Sequence, residues 1–430
     1  MNEDYERLEQ DYDNDEAYDT ELKQEIANDD VVLQPALDKP AKPELILTEE
    51  QQHAISVILE WMEQDDKLEF KLGGYAGTGK TTVIKTLLKE LRKKYCVRVA
   101  AFTGKAVNVL ERKGVSAQTL HSLMYNVEVD PKTGAVEFIK HYILEDDPDV
   151  IIVDESSMVS TELYNDLRSF NLKLLFVGDP GQLEPVGDNP NLMLHPDLVL
   201  EHIHRQAADS PIILLGHNVR HGSNLIHPFV DSAHPNYNQL EVRPKQLKAS
   251  EAVTVSQIIC ARNKTRTGMN DKLRIFKGIS ATPLVEGEKI IVLRNNRNWM
   301  VFNGMLLFVE KIHEDNVDHW LIDGKDEVGG FFRKIPIWKE PFTNPTIRDK
   351  KDLRIPAYVK PGATKNFSDT RGIQLILADY GYVITCHKSQ GSEWPHVLVF
   401  DEWLPPEVWD MKRWRYTAIT RAVEKLTYLT

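Results

Sequence analysis

The chain has 430 residues, of which 42% are hydrophobic and 27% charged, the profile of a globular protein long enough for more than one core. No apolar run approaches the roughly 20 residues that a membrane span needs, and the acidic start lacks the basic-then-apolar opening of a secretory signal. Cys96, Cys260 and Cys386 are too far apart for a disulfide framework or a zinc site and suit a reducing, cytoplasmic setting.

Taken whole, the net charge of −13 argues against a polyanionic partner, but thirteen acidic and two basic residues put −11 of it within residues 1–30. That leaves −2 for residues 31–430, so the charge reports on a tail. The tail is poor in apolar residues and has no helical or strand period, which predicts a disordered, solvated segment. With the proline-bearing linker "LQPALDKPAKPELILT" it gives a first region of residues 1–43. In "LILTEEQQHAI" just beyond, Gln51 offers an amide able to pair with the N6/N7 edge of adenine.

Strands and helices then alternate, which predicts a doubly wound α/β domain. "EFKLGGY" reads as a strand and "KTTVIKTLLKELRKK" as a helix, with "GGYAGTGKTT" between them. The loop fits G-x-x-x-x-G-K-[ST] through Gly74, Gly79, Lys80 and Thr81, with Ala76, Gly77, Thr78 and Thr82 completing it. Its glycines let backbone N–H groups approach phosphates at a helix N-terminus. Lys80 is expected on the β/γ-phosphates and the Thr81 hydroxyl on Mg²⁺.

"VRVAAFT", "DVIIVDE" and "LKLLFVGD" are apolar runs typical of buried parallel strands. Between the first two, "YNVEVDPKTGAVEFIKHY" predicts a projecting hairpin turning at "DPKTG", within about residues 122–147. "VIIVDESS" ends in Asp154, the expected Mg²⁺ partner, and Glu155, the candidate base for an attacking water. Gln182 in "FVGDPGQLEPV" is placed to contact a γ-phosphate or that water. Arg205 in "HIHRQ" and Arg421 in "YTAITRA" are candidate fingers for transition-state charge, although either taken alone reads first as a surface arginine.

From residue 295 to 370 aromatics mix with basic residues and prolines, which predicts a small β-rich insertion. "QLILADYGYVITC" and "HVLVFDEWL" resume the α/β pattern as strands. "VITCHKSQGSEW" then drops His387, Lys388, Ser389 and Gln390 at a strand end. Nothing local says what that cluster serves.

In chain order, "LTEEQ", "GYAGTGKTT", "AFTGKAV", "TLHSL", "VDESSM", "GDPGQLEPV", "HRQ", "TCHKSQGSE" and "YTAITRA" resemble the helicase motifs of superfamily 1, in its RecD-like (1B) subgroup. The resemblance covers about residues 44–430. It implies two RecA-like P-loop domains, a hairpin insertion in the first and a small SH3-like β-rich insertion in the second. The first domain is expected over 44–215, the second over 216–294 and 371–430, and the insertion over 295–370. By the same resemblance Phe102, Thr103, Lys105, His121, Thr385 and His387 face DNA, while Gln390, Gly391 and Glu393 lie toward the nucleotide. Two positions depart from the family pattern: Phe102 and Glu184 stand where proline is frequent, and Glu184 adds a negative charge beside a polyphosphate cleft.

The implied function is an ATP- and Mg²⁺-dependent DNA helicase or translocase, 5′-to-3′ on single-stranded DNA, with the hairpin as a wedge. One alternative is a DNA-stimulated ATPase that displaces proteins without unwinding, and another is a nucleotide-gated binding module. The implied partners are single-stranded and forked DNA and replication or recombination proteins. A monomeric motor, no membrane and a cytoplasmic location (that of the host, if phage-encoded) complete the expectation.

Overall fold

The computed structural model describes residues 47–430 apart from 130–135, 185–189, 204–208, 230, 280–283, 328, 345–346, 348–354, 357–373 and 408. For 127–129, 136–138 and 297 it describes the backbone alone. The acidic tail, the turn of the hairpin and Arg205 therefore lie outside the described residues.

Helix α1 (Glu49–Met62) opens on a capping box: Thr48 Oγ1 accepts from the Gln51 amide, and Gln51 Oε1 accepts from the Thr48 amide. Then follow β1 (Glu69–Gly74), α2 (Lys80–Leu91), β2 (Val97–Ala101), α3 (Gly104–Arg112), β3 (Gln118–Thr119) and α4 (Leu120–Met124). The antiparallel pair β4 (Tyr125–Val129) and β5 (Val136–Lys140) forms the hairpin arms, in register from Tyr125↔Lys140 to Val129↔Val136. At its root the Tyr125 hydroxyl and the Lys140 ammonium both reach Asp166. Asp166 belongs to α5 (Thr161–Arg168), which lies between β6 (Val150–Asp154) and β7 (Lys173–Gly178).

With β8 (Leu198–Leu200) these strands make a parallel sheet of order β3-β2-β6-β7-β1-β8. Val150–Val153 and Leu174–Val177 are buried, which is why they read as unbroken apolar runs. Parallel pairing sends the ends of β1, β2, β6 and β7 to one edge, where ligands of open α/β sheets bind.

Helix α6 (Pro211–Arg220) spans the domain boundary expected at 215–216. Its Ile212, Leu215 and Val219 pack with Trp414, Ala418 and Tyr428 in the second core. That core covers a parallel sheet of order β16-β10-β17-β18-β9. Its members are β9 (Leu240–Arg243), β10 (Gln257–Cys260), β16 (Val383–Thr385), β17 (Trp394–Phe400) and β18 (Ala422–Leu429). Helix α7 (Asn263–Phe276) follows β10, α8 (Cys386–Ser389) follows β16, and α9 (Met411–Ile419) precedes β18.

The third sheet is antiparallel, of order β14-β13-β12-β11-β15. It comprises β11 (Lys289–Val292), β12 (Leu306–Asp315), β13 (His319–Asp326), β14 (Phe331–Trp338) and β15 (Ala378–Tyr380). It thus begins before residue 295, and the run read as one strand, "QLILADYGYVITC", is divided. Its first half gives β15 to the small sheet and its second gives β16 to the second parallel sheet. Gly381 makes the crossing: a Cβ there would lie 2.8 Å from Leu306 and 3.0 Å from the Ile290 backbone. The root of the small sheet is fixed by two buried ion pairs, Arg274–Glu288 at 2.6 Å and Arg266–Asp379 at 3.1 Å. Thr48–Thr430 is one compact unit.

Candidate functional site

The loop after β1 turns on Gly77 and Gly79, both in the left-handed region at φ +80° and +82°. Thr78 Oγ1 donates to the Tyr75 carbonyl at 2.8 Å, and Lys80 Nζ donates to the carbonyls of Gly74 and Tyr75 at 2.6 and 3.2 Å. Gln51 sits against this loop. Its Oε1 serves the capping box and its Nε2 donates to the Thr78 carbonyl at 3.0 Å, so the amide expected on adenine also ties α1 to the loop. The reason is local: T-x-x-Q at a helix start turns the glutamine back onto its own N-terminus.

Opposite Lys80, β6 delivers the acidic pair. Asp154 Oδ1 accepts from the Glu155 amide at 3.0 Å. Glu155 holds φ +51°, a strained value for a non-glycine residue. Burial, then the charge of Asp154, pushes its carboxyl up to about 7 against the pull of Arg421 and Lys80. Burial raises Asp154 too, opposed by the Glu155 N–H and Lys80. Among the described residues, Glu155 Oε2 and Gln182 Oε1 are buried acceptors with no hydrogen-bond partner. Two such atoms beside a phosphate-type loop are groups a ligand or its water would satisfy.

Sequence reading quoted Asp179 but gave it no role. It is buried, accepts from the Gly181 amide at 2.8 Å and lies 4.0 Å from Lys80 Nζ. It also accepts from the hydroxyl of Tyr416 at 2.7 Å, and that hydroxyl accepts from the Ala76 amide at 2.7 Å. Tyr416 rides on α9 of the second domain, so only the fold brings it to the P-loop. Beside it, Thr417 Oγ1 accepts from the Leu183 amide at 2.8 Å, and Gln390 donates to the Leu183 carbonyl at 2.6 Å.

Arg421, buried at the end of α9, donates to the carbonyls of Thr417 and Ser392 at 3.0 and 3.2 Å, and its charge acts on Glu155. Glu393 in turn raises Asp154. Glu184 does not leave a bare charge at the cleft, because Arg413 pairs with it at 2.6 Å. Gly391, at φ +69°, faces Thr103: a Cβ there would meet Thr103 Oγ1 at 3.1 Å.

A groove opens across the same edge. It brings together Phe102, Thr103, Lys105, His121 and His387 of the expected set, and adds Asn303 and Phe302 from the small-sheet region. Phe102 lies 6.5 Å from His121 and packs on the first core. Burial, then Lys388, holds His387 below its usual value, and Trp409 meets its ring edge-on at 5.5 Å. Thr385 departs from expectation: it is 8% exposed at the end of a wholly buried strand and does not line the groove.

Glu327, which sequence reading missed, stands at the groove wall. It pairs with Lys105 at 2.6 Å, accepts from Trp394 Nε1 at 2.6 Å and lies 3.9 Å from Lys289. Burial disfavours its charge, but Lys105 and Lys289 outweigh that and hold the carboxyl below its usual range. No nearby motif marks it, since its partners come from a helix of the first domain, a strand of the second parallel sheet and the first strand of the small sheet.

Residues 46–232 match an AAA domain and residues 380–428 a UvrD-like helicase C-terminal domain. The ATP-dependent RecD2 DNA helicase of Deinococcus radiodurans is 29% identical over 82% of this chain and 46% of its own length. The ATP-dependent DNA helicase dda of Enterobacteria phage T4 is 28% identical over 41% of this chain and 43% of its own. The chain thus spans less than half the length of either relative. A solved structure of Pif1 helicases that unwind forked double-stranded DNA superposes with a TM-score of 0.51 at 19% identity, covering 90% of this chain and 92% of that one. With two parallel sheets meeting at a P-loop, an AAA domain and a UvrD-like helicase C-terminal domain in chain order, and similarity to the RecD2 and dda helicases, the matches support a superfamily 1B helicase.

Proposed function

We propose that this protein is an ATP-hydrolysing DNA helicase that moves 5′-to-3′ on single-stranded DNA and unwinds forked duplexes. The observation that carries the reading is the cleft itself. Among the described residues Glu155 Oε2 and Gln182 Oε1 are buried without partners, and the charges of Lys80 and, from the second domain, Arg421 act on Glu155. In this reading the amides from Ala76 to Thr82 and Lys80 hold the ATP phosphates, Glu155 takes the proton of the attacking water, and Gln182 orients that water. Arg421 meets the developing charge, joined by Arg205, with Gln390, Gly391 and Glu393 on the second-domain side.

Mg²⁺ is assigned to Thr81 and Asp154. Among the described residues no group of three or more His, Cys, Asp or Glu could hold a metal ion. A Mg²⁺ here would therefore take its other ligands from phosphate oxygens and water, as that ion commonly does. The groove takes the strand: Phe102 and Phe302 supply faces for bases, and Lys105 and Lys388 supply charge for phosphates. Alternating grip by two domains that open and close on ATP turns hydrolysis into steps.

The working partners are single-stranded and forked DNA, with replication or recombination proteins, in the cytoplasm and as a monomer. Among the described residues no helix is long and apolar enough to cross a membrane. Unwinding of duplexes with a 5′ or a 3′ single-stranded overhang tests the reading. Strand separation only from the 5′ overhang is expected. Separation only from the 3′ overhang reverses the polarity, and ATP turnover with no separation from either leaves a translocase.

A further inference from the structure

We propose that Tyr416 is a positioning residue through which the second domain sets the P-loop and Asp179 for turnover, an inference that rests on the ATP-hydrolysing reading above. Its hydroxyl accepts from the Ala76 amide and donates to Asp179, both at 2.7 Å, so one buried atom links the phosphate loop to the carboxylate beside Lys80. Burial, with the charge of Asp179, keeps the phenol protonated and able to donate.

Three further contacts make this a coupling device. The ring is seated tightly: a Cβ on Gly181 would come within 2.9 Å of it, and one on Gly216 of α6 within 3.6 Å. Arg220, at the end of α6, lays its guanidinium 3.3 Å from the centroid of Tyr75, the neighbour of Ala76. Thr417 accepts from Leu183 N–H and, through its carbonyl, from Arg421 Nε. A movement of α9 that re-aims Arg421 therefore also moves the Tyr416 hydroxyl. A phosphate drawing on the Ala76 N–H would in turn change what Tyr416 and Asp179 can hold. Nucleotide and second domain act on the same hydrogen bonds.

Tyr416→Phe keeps the ring and removes both bonds. The test is ATP turnover against ATP concentration, with and without an oligothymidylate strand, on the full chain, with melting temperature as the check on folding. The ratio of DNA-stimulated to unstimulated kcat should fall by about tenfold, the worth of one hydrogen bond to a charged group, with KM for ATP moving less than kcat. Gly181→Ala, whose Cβ would press on the ring at 2.9 Å and on Asp179 Oδ1 at 3.2 Å while the hydroxyl stays, should lower the same ratio, and it decides the matter if Tyr416→Phe melts early. A wild-type ratio in the variants overturns the inference. So does an equal loss of both rates, which would make Tyr416 a packing residue only. A wild-type chain that hydrolyses no ATP overturns the proposed function as well, and so separates the two failures.

Discussion

At the nucleotide cleft, Lys80, Glu155 and Gln182 all follow the ends of neighbouring strands of one parallel sheet, whereas the groove takes its walls from loops and helices of the first domain, the second domain and the small-sheet region. The cleft gains its second-domain partners, Tyr416 and Arg421, from a single helix and the residues just after it. The groove depends on an ion pair, Lys105–Glu327, between a helix of the first domain and the small sheet. Chemistry that must be placed within tenths of an ångström sits on the rigid edge. The groove proposed to hold a strand is assembled across both domains and the small-sheet region.

Four substitutions or deletions break or sharpen this contrast. Lys80→Ala should have the largest effect, lowering ATP turnover by about 10³-fold or more while the melting temperature stays close to wild type. Near wild-type turnover would remove the P-loop from the chemistry. Glu155→Gln should keep ATP binding, measured with a fluorescent nucleotide, and lose at least about 10²-fold in kcat. Because the Glu155 carboxyl is pushed up to about 7, it is the deprotonated form that serves as base. Wild-type kcat/KM for ATP, which reports the nucleotide-free enzyme, should therefore rise as pH climbs through that value and fall below it. The glutamine variant should lack that limb.

On the groove side the effects are smaller and depend on salt. Glu327→Gln frees Lys105 for phosphate, so single-stranded DNA should bind a few-fold more tightly, with a salt slope steeper by about one. Fluorescence anisotropy across a salt series reads both, and weaker binding would show that the ion pair shapes the groove. The least effect is expected from deleting residues 1–30, which removes a net −11. Affinity at low salt should rise modestly and converge with wild type as the Debye length shortens. Equal affinities throughout would make the tail electrostatically idle.

The same contrast explains what could be read in advance. The P-loop, the Asp154–Glu155 pair and the alternating strands were legible because each is a short local pattern tied to one strand end. Tyr416 escaped because it meets Asp179 from 237 residues away, and tyrosine in an amphipathic helix gives no sign of which atom it will touch. Glu327 escaped for the same reason. Gln51 was expected on adenine, and the T-x-x-Q pattern at the start of α1 gives its Oε1 a second task as acceptor for the Thr48 amide. The strand divided at Gly381 looked continuous because the close approach that divides it is made by β11 and β12, not by its own neighbours.

The two buried ion pairs at the root of the small sheet have a mechanical consequence. Removing one partner of such a pair costs about 3–5 kcal/mol, and Lys105–Glu327, with side chains 21% and 19% exposed, falls between that and the roughly 1 kcal/mol or less of a surface pair. If the groove carries the proposed strand, tension along it would break the outer contact first and leave the root holding. The small sheet is then a stiff arm clamped at one end and latched at the other. Load on it is delivered to the second parallel sheet as torque, not dissipated in bending.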